Sequence, residues 1–176
     1  MKSAEDLCLA CGLCCDGTLF GHVRLVAGDD AKKLKSLGLP VVAPRTGPTF
    51  KRFPQPCAAL CADGTCRVYA DRPAQCRRFE CGVFKAAREG EIPFSTALRT
   101  VKQARRLADS VRRLLRALGD TDDHLGLDAR FARVHRRLES GAADAAAANA
   151  YADLSQAMHR LTLLTHDKFH TRAEAR

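Results

Sequence analysis

Residues 8–15 read Cys8-Leu9-Ala10-Cys11-Gly12-Leu13-Cys14-Cys15. Two residues between successive thiols let one tight turn aim both sulfurs at a single centre. Gly12, directly after Cys11, lets the backbone turn there without a Cβ clash. A second group follows at Cys57, Cys61, Cys66, Cys76 and Cys81, and residues 82–176 contain no cysteine. Nine thiols in two spaced groups are poorly explained as small apolar packing residues and read instead as metal ligands. The start of the chain, MKSAEDLCLACGLCC, has no apolar signal core and carries Glu5 and Asp6 early. No apolar run approaches the ~18 residues a membrane span needs. The expected location is therefore cytoplasmic, with no membrane partner. There thiols stay reduced, and ligation is favoured over a disulfide framework. The odd number of cysteines also argues against complete pairing.

Outward from the cysteines, the sequence predicts an α+β fold. Its first part is a small, irregular, metal-stabilised region with short strands at 1–91, followed by a mainly helical part at 92–176. Residues 18–26 alternate as a strand does, and a second short strand fits Phe50–Phe53. Asp29 and Asp30 can cap a short helix running to Leu37, which Gly38 and Pro40 end. The stretch 40–56 is rich in proline, and Arg72-Pro73 reads as a helix entry. A short helix fits 83–89. Ser95 is placed to cap a long helix to Leu118, with Leu98, Val101, Ala104, Ala108, Val111, Leu115 and Leu118 on one face. Further helices fit 127–139, with Phe131, Val134 and Leu138, and 142–165, with Tyr151, Leu154, Met158, Leu161 and Leu164. The tail from His166 is polar and is expected to fray.

Hydrophobic residues make up 46% of the chain, enough for a core, but there is no Trp and aromatics are 6%. Aliphatic side chains must fill most of that core, and the scarce Tyr69 and Phe79 are expected in it. The net charge of +9 is spread over both halves. The helix at 95–118 carries Arg99, Lys102, Arg105, Arg106, Arg112, Arg113 and Arg116 on its polar face. A solvated face is favoured there over nucleic-acid binding, since no aromatic residues interleave and no DNA-binding motif is present. The histidines lack ligand spacing apart from His166 and His170, which read as surface residues. No Ser/His/Asp set, phosphate-binding loop or dinucleotide fingerprint appears.

The block CLACGLCC, followed by Cys57 and then CRVYADRPAQCRRFEC at 66–81, resembles the zinc- or iron-chelating cysteine-cluster family often called YkgJ-like. That family shows C-x-x-C-x-x-C-C and then C…C-x-x-Y-x-x-R-P-x-x-C-R-x-F-x-C. The resemblance covers residues 8–81. It implies metal ligation by Cys8, Cys11, Cys14, Cys15, Cys57, Cys66, Cys76 and Cys81. Cys61 is an extra thiol that the pattern does not require. Arg67, Arg72, Arg77 and Arg78 lie close in sequence to these positions and can lower thiol pKa values or screen the centre. Two Cys₄ zinc sites would use all eight thiolates. Three cysteines at C-x-x-C-x-x-C with a distant fourth fit a [4Fe–4S] cluster about as well, and the triple spacing leans that way. The leading expectation is a metal-binding protein. The alternatives are an iron–sulfur redox or protein-modifying component related to flagellin lysine methylase, and a metal storage or trafficking protein. Neither a catalytic residue nor a protein partner is marked.

Overall fold

The computed structural model describes residues 4–43, 50–141 and 145–170. In chain order the elements are α1 (Ala4–Cys11), β1 (His22–Arg24), α2 (Ala31–Ser36), β2 (Arg52–Pro54), a 3-10 turn (Tyr69–Asp71), α3 (Ala74–Arg78), α4 (Gly82–Arg88), α5 (Phe94–Ala117), α6 (Leu127–Ser140) and α7 (Ala145–Lys168). This is an α+β chain with short strands early and long helices late, as the sequence implies. It forms two compact units. A helical unit takes Met1–Cys11, Glu80–Asp122 and Leu127–Arg176, and a cysteine-rich unit takes Gly12–Phe79 with Asp123–Gly126.

In the cysteine-rich unit, β1 and β2 pair antiparallel in the register His22↔Pro54, Val23↔Phe53 and Arg24↔Arg52. The expected strand at 18–26 shrinks to three residues, because its partner offers only three. A two-stranded sheet this short is not stable by itself. It is covered by a core of Val23, Leu25, Leu34, Leu39, Val41, Phe53, Ala59 and Val68. Leu34 comes from α2, whose first N–H groups at Lys32 and Lys33 donate to the Asp30 carboxylate. Asp29 bonds the Val26 and Ala74 N–H groups, and the Arg24 N–H donates to Gln75, so α3 is fastened beside β1. Pro73 stands just before α3 rather than at its first turn.

In the helical unit, α5 packs against α1, α4, α6 and α7. Its buried stripe is Ala97, Val101, Ala104, Ala108, Val111 and Leu115. Three alanines in that stripe allow close approach of neighbouring helices. Pro93 rather than Ser95 stands at the N-cap, and Leu98 and Leu118 are only half-buried. From α7, Leu154, Met158, Leu161 and Thr165 are buried, and from α6, Leu127, Arg130 and Val134. Tyr151 bonds His135 Nδ1 at 2.6 Å across the α6–α7 pair. The expected start of the last helix, 142–144, lies outside the described residues.

Two expectations need correction. Residues 4–11, part of a stretch read as a short lead-in at 1–15 with no helix assigned, form α1, and the Arg105 guanidinium donates to its Ala10 carbonyl at 2.8 Å. Residues 166–170 do not fray: α7 runs to Lys168, and Phe169 is fully buried. The polar sequence around a single apolar residue hid that anchor; residues 171–176 lie outside the described residues. The anchor explains Gly82. Its N–H donates to the Phe169 carbonyl at 3.0 Å, and a Cβ there would meet the Lys168 carbonyl oxygen at 2.6 Å. Gly82→Ala is expected to push the end of α7 away and destabilise the helical unit by about 1–3 kcal/mol, read from its denaturant midpoint.

Candidate metal centre

The cysteine-rich unit holds Cys14, Cys15, Cys57, Cys61, Cys66 and Cys76. Gly12 takes φ +68°, as the sequence requires of a turn here, and its carbonyl accepts the Cys15 and Asp16 N–H groups. This tight turn sets the Cys14 and Cys15 sulfurs 3.7 Å apart in a shared hydrogen bond. The two cysteine blocks meet through the backbone, where the Cys57 N–H donates to the Cys15 carbonyl at 2.8 Å. Residues 57–66 then double back. Cys61 N–H donates to Thr65, Leu60 bridges Cys66, and Gly64 at φ +84° makes the reversal. Asp63 holds that reversal by accepting from both the N–H and the hydroxyl of Thr65. Cys76 arrives on α3. Cys57, Cys66 and Cys76 all pack against the hydrophobic core of this unit.

Their electrostatics show which thiols are neighbours. Burial, helped by charge on Cys15, Cys57 and Cys66, pushes the Cys76 thiol up to about 12. Burial also raises Cys57 and Cys66, and both feel Cys15. Cys15 moves the other way, lowered chiefly by the hydrogen bond from Cys14. Cys15, Cys57, Cys66 and Cys76 therefore form one mutually sensitive set. The Arg72 guanidinium stands by it and favours the thiolate at Cys15, Cys66 and Cys76. Of the four arginines singled out by sequence, Arg67 instead donates to the Ala58 carbonyl and Arg77 to the Arg72 carbonyl. Cys61 stands next to the set, close enough for its charge to raise Cys66. Gln55 is buried with its Nε2 donating to the Cys14 carbonyl at 3.4 Å. Its Oε1 has no protein donor among the described residues.

Cys8, Cys11 and Cys81 belong to the helical unit. Cys8 and Cys11 lie three residues apart on α1, which packs on α4. Cys81 is the N-cap of α4, and its sulfur accepts the Phe84 N–H at 3.4 Å. The contiguous motif of residues 8–15 is thus divided after Cys11, a partition that spacing along the chain does not reveal.

Tyr69 departs from its expected place in the core. It is 61% exposed, with the Arg72 guanidinium 3.6 Å above its ring. Phe79 packs edge-on against Phe20 at 4.8 Å.

As placed, no three His, Cys, Asp or Glu side chains among the described residues stand close enough to hold a metal ion. The donor chemistry nevertheless fits a soft or borderline metal. Four thiols are drawn from four chain positions, three of them seated on an apolar core, with one guanidinium to offset thiolate charge. Among the described residues, no helix is long and apolar enough to cross a membrane.

No curated relative and no solved structure matches the chain. A family model named CxxCxxCC and described as "Putative zinc- or iron-chelating domain" matches residues 7–95, just over half of the 176 residues. That span takes in all nine cysteines, and on this match the chain belongs to the CxxCxxCC family of metal-chelating domains.

Proposed function

We propose that the protein holds its metal chiefly through a four-thiolate centre made by Cys15, Cys57, Cys66 and Cys76. The sequence pattern implies Cys8, Cys11, Cys14 and Cys81 as further ligands. The observation that supports this reading is the convergence of the four positions: Cys57 bonds Cys15 through the backbone, and Cys57, Cys66 and Cys76 pack on one core. Burial in an apolar setting suits a centre kept from water, and four sulfurs match either a tetrahedral zinc site or the corners of an iron–sulfur cluster. Bound metal would supply the positive charge that four neighbouring thiolates need. The chain's own residues set the donors, screen them with Arg72, and seat three of them against the apolar core of this unit.

Metal analysis by mass spectrometry with an absorption spectrum, both after anaerobic purification, tests the reading. Iron with a visible band assigns the cluster, and a colourless protein with about two zinc ions per chain assigns two Cys₄ sites. Absence of both metals, or metal content unchanged in Cys76→Ser, would overturn it.

Uptake has a definite pH dependence. Cys57, Cys66 and Cys76 lie above the ordinary thiol range, so they are protonated at neutral pH. Metal binding must expel these protons, and apparent affinity is expected to rise with pH. With three protons released, the rise is up to about a thousandfold per pH unit. Competition with a chromophoric chelator between pH 6.5 and 8.5 measures the slope, and a flat profile would contradict ligation by these three thiols.

A further inference from the structure

We propose that the groove between α2 and the segment Tyr69–Pro73 binds a small oxyanion, a carboxylate or phosphate group.

The groove encloses about 290 Å³ and is lined by Asp29, Asp30, Lys33, Asp71, Arg72 and Arg77, among others. That space suits an anionic group on a small molecule. Three cations and three acids face it, but they are not equally committed. Asp29 is held by two backbone N–H groups, Asp30 caps α2, and Asp71 pairs with Lys33 at 2.6 Å. The arginines keep donors in reserve. Arg72 uses Nε on the Tyr69 carbonyl at 3.1 Å, and Arg77 uses Nη1 on the Arg72 carbonyl. Among the described residues their other N–H groups meet no protein acceptor. Two adjacent guanidinium forks with open donors match the planar or tetrahedral oxygens of a carboxylate or phosphate.

Arg72 is also fixed in place. The exposed Tyr69 ring lies under its guanidinium at 3.6 Å, and the Nε bond sets its rotation. This accounts for a large aromatic side chain left on the surface.

Calorimetric titration of inorganic phosphate, and separately acetate, into the protein tests the site. The expected result is saturable binding of at least one anion, which Arg77→Gln and Arg72→Gln each weaken about tenfold or more. Tighter binding of phosphate than of acetate identifies a phosphate ligand, and the reverse identifies a carboxylate. Absence of saturable binding, or equal binding in Arg77→Gln, would overturn the site.

Discussion

Stripping the metal with a strong chelator is expected to unfold the cysteine-rich unit and leave the helical unit folded. The physical case lies in how little else holds the first unit. Its strands are three residues each, and its helices α2 and α3 have six and five residues. Helices that short are not stable alone, and domains of this size need added staples. The core of eight apolar residues supplies part of the stability, and three cysteines sit directly on it. Metal–thiolate bonding there is folding free energy, worth roughly 10 kcal/mol or more in comparable small sites. Hydrogen exchange should show protection lost at residues 12–43 and 50–79 and kept along α5 and α7. Far-UV circular dichroism should fall only modestly, because α5 and α7, at 24 residues each, belong to the other unit. A protein that surrenders its metal and melts with an unchanged cooperative transition would refute this.

Arg130→Ala is expected to have the largest effect in the helical unit. Arg130 and Asp120 are both almost fully buried, joined at 2.9 Å through Nε, and Arg130 also donates to the Asp120 carbonyl at 2.8 Å. Arg133 holds the other Asp120 oxygen at 2.7 Å and reaches Asp122 at 3.0 Å. Deleting Arg130 leaves Asp120 buried with only a partly exposed partner. Breaking such a pair costs about 3–5 kcal/mol, or about 10 °C in melting temperature. Arg133→Ala, at a side chain 39% exposed, should lower the melting temperature far less than Arg130→Ala. The control is the double change Asp120→Leu with Arg130→Met. It removes both charges together and should recover much of the loss. Thermal melts of the four proteins decide the matter. An Arg130→Ala protein as stable as the parent would show that the pair contributes specificity and not stability.

The legible parts of this chain are those with local signals. The stripe Val101, Ala104, Ala108, Val111, Leu115 follows from helical periodicity, and the cap on α2 follows from Asp30. The thiols read as candidate ligands because of their number and spacing. Their grouping was not, since neighbours such as Cys11 and Cys14 go to different units while Cys15 and Cys57, far apart in sequence, share a backbone hydrogen bond. The Asp120–Arg130 pair was hidden for a similar reason. Ten residues across a helix–helix turn carry no periodic signature, and Arg130 looks like any other charge in an Arg-rich chain. Scarcity of aromatics alone points Tyr69 to the core, a compositional argument that does not see a stacking cation nearby. Phe169 was missed because one buried side chain at a helix end leaves no pattern.

The chain leaves the helical unit after Cys11 and returns to it at Glu80, and within that unit α1 packs on α4. Residues 12–79 are thus a guest held at both ends by its host. If the guest unfolds, it becomes a closed loop instead of a loose tail, and a loop has fewer conformations to explore. Its cysteines stay at high local concentration for one another. Metal loss should therefore be rapidly reversible in the intact protein, and cutting the chain once inside the loop should make the same loss much harder to repair.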